Sequence, residues 1–127
     1  MDRSPLNTVT VHLQDGADVT VPEPAWCVGG HGLQVEVLAD VLHDGPEISF
    51  AVETPHGFAE ALPAALSQFP FASDPQQRVP AVTVLVGDNW ERFSPAGVAE
   101  LADGLVVYAA RLRALGAELT RIIDSGT

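Results

Sequence analysis

Residues 94–124 read SPAGVAELADGLVVYAARLRALGAELTRIID, and this stretch decides the fold class. Ser94 followed by Pro95 predicts a helix start, because a hydroxyl caps free N–H groups and proline costs nothing at the first helical position. Large apolar residues then recur at alternating spacings of three and four, the heptad pattern of one long helix. They are Val98, Leu101, Leu105, Tyr108, Leu112, Leu115, Leu119 and Ile122.

The length of this helix predicts how it is used. A helix over residues 95–123 would measure about 43 Å, whereas a seven-residue strand spans roughly 23 Å. The helix therefore overhangs a sheet of ordinary strands, and each large apolar side chain left in water forfeits about 1.5–3 kcal/mol. We expect a homodimer with antiparallel helices that meet at Leu112, Leu115, Leu119 and Ile122. A monomer whose helix is covered by residues 58–72 is the alternative.

The N-terminal region predicts a β-hairpin. Polar and apolar residues alternate over 8–13 and 18–21 around Asp15-Gly16, which favours a type I′ turn. The apolar face would hold Val9, Val11, Leu13, Val19 and Val21, with His12 on the opposite, solvated face. Pro22 and Pro24 are expected to stop the pairing.

Further strands are predicted between this hairpin and the helix. They are a period-two strand at 33–42 (or a short helix near 38–43), a strand at 47–53 with Ile48, Phe50 and Val52 inward, an edge strand at 64–69, and a central strand at 82–86 that ends in the turn 87–89. Residues 58–62 have helical composition, but Pro63 interrupts them. His56 is expected in an exposed turn.

Together these patterns predict a single α+β domain over residues 1–127. A mostly antiparallel sheet of four to six strands occupies residues 6–92, and one long helix over 94–124 packs on one face.

Composition limits the function. The chain has 127 residues, of which 46% are apolar, and a formal charge of −11 that disfavours nucleic-acid binding. No run of residues approaches the roughly 20 apolar residues of a membrane span. Residues 1–5 lack the pattern of a signal peptide, and one cysteine forms no internal disulfide, so a cytoplasmic protein is expected.

The candidate chemistry lies at Cys27, His31 and His43. Thiolate and imidazole are ligands that zinc favours, and a structural zinc site has four of them. Cys27 and His31 fit a loop around one ion, and Glu23, Asp44 or His56 could supply the fourth ligand. In the alternative without metal, Trp26 anchors the loop in the core, Cys27 is a small buried hydrophobe, and both histidines hydrogen-bond the backbone.

An enzyme is a third interpretation. Cys27 would act as nucleophile with His31 or His43 as base, and the amides of Gly29-Gly30 would stabilise the oxyanion. No helix N-terminus is clearly placed behind Cys27 to lower the pKa of the thiol. The Gly29-Gly30-His31-Gly32 run also lacks the lysine and strand–loop–helix context of a phosphate-binding loop.

Three segments resemble a family of small actinobacterial domains of unknown function. They are Pro24-Ala25-Trp26-Cys27-x3-His31, His43-Asp44-Gly45 and Ser94-Pro95-x4-Glu100-Leu101-Ala102. Members of that family carry Cys-Pro-x-Trp-Cys-x3-His, whereas this chain has Glu23-Pro24 where the first cysteine stands. The resemblance implies an architecture of strands followed by a helix, and it implies a metal site that has lost one thiolate.

These observations lead to a non-enzymatic, dimeric interaction or regulatory module as the expected function. A zinc-supported binding domain that uses Cys27, His31 and His43 is the first alternative, and a small cysteine-dependent hydrolase is the second.

Overall fold

The computed structural model describes residues 7–29, 31 and 36–126, and the chain divides into two compact units, Met1–Phe93 and Ser94–Thr127. The described residues form two antiparallel sheets, of two and five strands, and one α-helix, which confirms the α+β class. That both units form one domain stays a prediction. The elements are β1 (Asn7–His12), β2 (Asp18–Glu23), β3 (His43–Asp44), β4 (Ile48–Thr54), β5 (Gly57–Gln68), β6 (Ala81–Val86), β7 (Asn89–Phe93) and α1 (Pro95–Asp124).

β1 and β2 form the predicted hairpin, but its turn differs from the prediction. The N–H of Leu13 donates to the carbonyl of Ala17 at 2.8 Å, which leaves three residues in the loop. Gly16 has φ +90°, while Asp15 keeps a negative φ, so the two positive φ values of a type I′ turn are missing. The side chain of Asp15 instead accepts a hydrogen bond from the N–H of Ala17.

Pro22 does not stop the pairing, contrary to the prediction. β2 continues through Glu23, with Pro22 opposite Thr8 and Glu23 opposite Asn7. Both strands of a two-stranded sheet are edge strands, and an edge strand tolerates a missing N–H. The extra pairing places Glu23 at the end of a defined strand.

The predicted apolar face of the hairpin is confirmed as the centre of the core. Val11 and Val21 are buried together with Val41, which follows a 3₁₀ helix at Leu38–Asp40. Val9, Leu13, Val19 and Phe71 pack against these three valines. His12 lies on the exposed side, as predicted, and its Nδ1 is 2.6 Å from Asp18 Oδ1.

The larger sheet has the order β3-β5-β6-β7, and β4 also pairs with β5. β6 is therefore an interior strand, as predicted for residues 82–86. Residues 64–69 were predicted as an edge strand, but they belong mostly to β5, which pairs with β3 on one side and β6 on the other. β7 was not predicted; it follows a two-residue turn in which Gly87 has φ +63° at the first position, as in a type II′ turn.

β5 accommodates Pro63, the residue that made the structure of residues 58–72 ambiguous in the sequence. The register between β4 and β5 shifts between Ile48 and Phe50, and Leu62, just before Pro63, has φ +52°. Two residues of β5 thus face one residue of β4, which is a bulge. The helical composition of residues 58–62 gives way to this strand pairing.

Two predicted details of residues 33–53 are wrong. Ile48 and Phe50 are 72% and 65% exposed rather than inward, so the alternation of apolar residues in β4 does not mark a buried face. Residues 33–35 lie outside the described residues, and the remainder of the predicted strand 33–42 is a single bridge at Glu36 followed by the 3₁₀ helix. The alternative of a short helix is the closer one.

α1 runs without interruption for 30 residues through Gly104 and Gly116. Ser94 caps it by accepting a hydrogen bond from the N–H of Gly97 at 3.1 Å, and Pro95 stands at the first helical position, as predicted. The continuous helix is the rod that the heptad pattern indicates.

In the described part of the chain, no helix has the length and hydropathy of a membrane span. The cytoplasmic location stays a prediction.

Candidate metal centre

Cys27, His31 and His43, predicted from residue type alone, come together in the structure. One potential ligand atom from each lies within 4.8 Å of the others. Cys27 Sγ is 3.6 Å from His31 Nε2, and the rings of His31 and His43 meet edge to face with centroids 5.4 Å apart. The residues come from a loop and from a strand that is distant in sequence, so the fold creates the cluster.

The loop after β2 is held against β3 by backbone hydrogen bonds. The N–H of Cys27 donates to the carbonyl of Pro24 at 3.0 Å, which closes a turn, and the N–H of Val28 donates to the carbonyl of Asp44 at 2.9 Å. Gly29 has φ +89°, a conformation that L side chains rarely adopt, and it redirects the chain between Cys27 and His31.

His43 is fixed from two directions. It opens β3, where it pairs with Gln68 of β5, and it stands two residues after the fully buried Val41. The ring of Trp26 meets the ring of His43 edge to face, with centroids 6.3 Å apart. The predicted anchoring of the loop by Trp26 therefore takes the form of a contact with His43 itself.

The imidazole of His43 is suited to bind a metal ion. Its residue is 2% exposed, and Nδ1 is buried with no hydrogen-bond partner among the described residues. Burial lowers the pKa of His43, and the neighbouring His31 lowers it further, which favours the neutral ring that a metal ion binds.

The surroundings of Cys27 do not activate its thiol as a nucleophile. Burial raises the pKa of Cys27; backbone hydrogen bonds with Asp44 and Gly29 oppose this, and the carboxyl of Glu23 adds to it. A cysteine nucleophile needs a lowered pKa. Gly30, half of the proposed oxyanion pair, lies outside the described residues. The pKa of Cys27 therefore argues against a nucleophile, whereas the convergence of Cys27, His31 and His43 within 4.8 Å could hold a metal ion.

The three candidates for a fourth ligand are placed very differently. Oε1 of Glu23 lies 3.7 Å from His31 Nε2, is buried, and has no hydrogen-bond partner among the described residues. Asp44 is exposed and serves the loop through its backbone. His56 is exposed in the turn between β4 and β5, where its N–H donates to Thr54 Oγ1.

Sequence reasoning could not select Glu23, because Pro22 and Pro24 on either side of it suggested that the strand had ended. The pairing of β1 with β2 through residue 23 is what aims this side chain at the histidines.

A cleft of about 370 Å³ lies beside the cluster. His43 lines it together with mostly apolar residues, namely Val21, Pro22, Pro24, Gln68, Pro70 and Phe71. The cluster is therefore placed between the end of β2 and the end of β5, at the junction of the two sheets.

The residues of the predicted dimer interface lie on α1. Leu112, Leu115 and Leu119 are each more than half exposed, and Ile122 is 37% exposed. They follow one another at spacings of three and four along an unbroken helix, so they share one face.

Comparison with known protein families assigns the chain to one of them. It belongs to a family described as a domain of unknown function, DUF6907, whose model matches residues 8–121. No curated protein and no solved structure matches the chain. The expected family of unknown function is thus confirmed, while its actinobacterial origin and its cysteine motif stay predictions.

Proposed function

We propose that this protein is a zinc-supported, non-enzymatic interaction module whose metal is bound by Cys27, His31 and His43. The observation that carries the proposal is the convergence of three ligand atoms within 4.8 Å around a buried imidazole nitrogen that has no partner among the described residues. A buried polar atom without a partner costs about 1–3 kcal/mol. An ion at this point would remove that cost.

The donor set and its spacing fit zinc. Zinc binds sulfur at about 2.3 Å and imidazole nitrogen at about 2.0–2.1 Å in tetrahedral geometry, so neighbouring sulfur and nitrogen ligands stand about 3.6 Å apart. The observed separation of Cys27 Sγ and His31 Nε2 is 3.6 Å. One thiolate and two imidazoles favour zinc over the hard ions magnesium and calcium, which prefer oxygen ligands.

The ion would act on stability. The fully buried side chains of the described core are Val11, Val21 and Val41, which is a small set for the sheet-bearing unit. A ligand that binds the folded state at 100 times its Kd adds about 2.7 kcal/mol. Zinc would therefore fasten the loop that follows β2 to β3 and leave the surface free for a partner.

The test is a titration of protein purified without a histidine tag. Metal-free protein is titrated with zinc against a chromogenic chelator, and we expect one tightly bound zinc per chain. His43→Gln should weaken binding by at least about 100-fold, because zinc-ligand variants exceed the 10–100-fold loss of their supporting residues. His12→Gln is the matched control, since His12 is exposed on the hairpin. Equal affinities for all three proteins would refute the proposal.

A second candidate function is self-association through α1. Leu112, Leu115, Leu119 and Ile122 form an apolar row along a helix that would be about 45 Å long, and glycine and alanine residues border it. Small neighbours allow close approach of two backbones, while few charges flank the row to specify a parallel zipper. An antiparallel homodimer agrees with both features.

Light scattering after size-exclusion chromatography tests the dimer. We expect twice the 13.4 kDa chain mass at micromolar concentration. Leu115→Arg should yield the monomer, whereas Ala117→Arg, on the opposite side of the helix, should leave the dimer intact. A wild-type monomer would refute self-association and favour a helix covered within one subunit.

A further inference from the structure

We infer that Glu23 is the fourth zinc ligand, so that the site is closed by protein and serves a structural purpose. This inference rests on the proposed zinc site and goes beyond it, because three ligands alone leave a position open for water or substrate. An open position is the mark of a catalytic zinc, and a fourth protein ligand is the mark of a structural one. The identity of the fourth ligand therefore decides the class of function.

The position of the carboxylate is the first argument. Oε1 of Glu23 lies 3.7 Å from His31 Nε2, beyond hydrogen-bond distance. Two ligands at about 2.0–2.2 Å from a zinc ion stand about 3.4 Å apart in a tetrahedron. The pair of Glu23 and His31 therefore needs to shorten by only a few tenths of an ångström to reach this separation. The carboxyl of Glu23 also raises the pKa of Cys27 and opposes the lowering of the pKa of His43, so its charge acts on both of these ligands.

Unpaired polar atoms supply the second argument. Oε1 of Glu23 and Nδ1 of His43 are both buried and lack hydrogen-bond partners among the described residues. A buried carboxylate oxygen is stable only when it is paired or bound to a metal. The approach of His31 at 3.7 Å is longer than a hydrogen bond. One ion bound by Glu23 and His43 would give both atoms a partner.

The surroundings of Glu23 leave it little freedom to turn away. It ends β2 in register with Asn7, and its side chain is 19% exposed. A Cβ added at Gly29 would lie 3.9 Å from Oε1, so the loop passes directly over the carboxylate. The side chain of His31 is only 3% exposed, and it closes the other side. The strand, the loop and the histidine thus hold the carboxylate beside His31, at the edge of the cluster.

Charge balance agrees with four ligands. A zinc ion with the Cys27 thiolate, the Glu23 carboxylate and two neutral imidazoles forms a neutral centre. Without Glu23 the buried centre would carry one positive charge, which is costly in a low-dielectric interior. Neutrality also removes the driving force to bind hydroxide from water. The account therefore predicts that zinc here does not hydrolyse substrates.

The experiment replaces zinc with cobalt(II), whose absorption spectrum reports ligand type and coordination number. In the wild type we expect the strong visible bands of a tetrahedral site and a near-ultraviolet band from one thiolate. Glu23→Gln should weaken zinc binding about 100-fold or more. Its visible bands should fall in intensity as water raises the coordination number. Glu36→Gln is the matched control, since Glu36 also has a buried oxygen without a partner among the described residues.

Glu23→Cys keeps the inference testable if the glutamine variant does not fold. A second thiolate in the coordination sphere should roughly double the near-ultraviolet band and tighten zinc binding. Glu23→Cys with a single-thiolate band, or Glu23→Gln with wild-type spectrum and affinity, would overturn the role of Glu23 and leave the three-ligand site standing. A wild type that binds no zinc or cobalt would instead refute the proposed site as a whole.

Discussion

Replacement of Gly45 by alanine tests how the loop that carries Trp26 and Cys27 is fastened to the large sheet. Gly45 is buried directly after β3, and its N–H donates to the carbonyl of Leu66 in β5 at 2.8 Å. An added Cβ would lie 3.3 Å from Cβ of Leu66 and 3.4 Å from the carbonyl oxygen of Trp26. Both neighbours are backbone or the first side-chain atom, so neither moves without moving its strand or loop.

The structure sets the size of the effect. Gly45 does not have a positive φ, so alanine is disfavoured by crowding and not by backbone conformation. Overpacking of this kind costs about 1–3 kcal/mol. One kcal/mol lowers Tm by about 4–8 °C in a unit of 60–100 residues. We therefore expect Gly45→Ala to melt roughly 5–20 °C below the wild type.

Thermal unfolding followed by circular dichroism measures this change. The matched control is Gly116→Ala in α1, where an added Cβ meets nothing within 4 Å. That variant should gain about 0.5–1 kcal/mol, because alanine is the better helix former. The two glycine-to-alanine changes should thus have opposite signs. If Gly45→Ala is as stable as the wild type, the packing of the Trp26 loop against β5 is wrong.

Three further predictions concern the core, the helix and the metal. Val11→Ala, which empties part of the fully buried valine cluster, should cost about 2 kcal/mol in urea denaturation; a loss below 0.5 kcal/mol would contradict the core assignment. Ser94→Ala should remove about 1 kcal/mol by deleting the cap of α1, seen as lower helix content on heating, and an unchanged melting curve would speak against the cap. A chelator added to zinc-loaded protein should lower Tm by roughly 10–20 °C, while the same chelator should leave His43→Gln unaffected; equal shifts would disprove stabilisation through the site.

The sequence predicts elements well where one local signal dominates. Ser94-Pro95 and the spacing of apolar residues define α1, since capping and heptad periodicity act within a few residues of each other. The alternation of valines likewise finds the buried face of β1 and β2. In both cases the information is local, and the structure follows it.

Prediction fails where pairing with distant residues overrides local preference. Phe58–Leu62 has helical composition, yet it forms the first part of β5 because β4 pairs with it and a bulge absorbs Pro63. Ile48 was predicted inward from alternation alone, but its side chain is 72% exposed, even though its partner Ala64 in β5 also pairs with β6. These outcomes depend on register, which no single segment encodes.

In the candidate site, the sequence predicts three residues that the structure brings together but misses what places a fourth one beside them. Cys27, His31 and His43 are recognisable from residue type, because thiols and imidazoles are rare in this chain. The position of Glu23 beside His31 depends on the strand pairing across Pro22, which the prolines on either side of Glu23 argue against. The sequence thus names candidate ligands, and the fold decides which of them lie together.

X-ray absorption at the zinc edge of the purified protein tests the central claim most directly. The account predicts one sulfur at about 2.3 Å and three nitrogen or oxygen ligands at about 2.0–2.2 Å, with no further ligand. In Glu23→Cys the count should become two sulfurs and two nitrogens. A zinc surrounded by five or six light atoms without sulfur would contradict the assignment of Cys27, Glu23 and the two histidines to one closed centre.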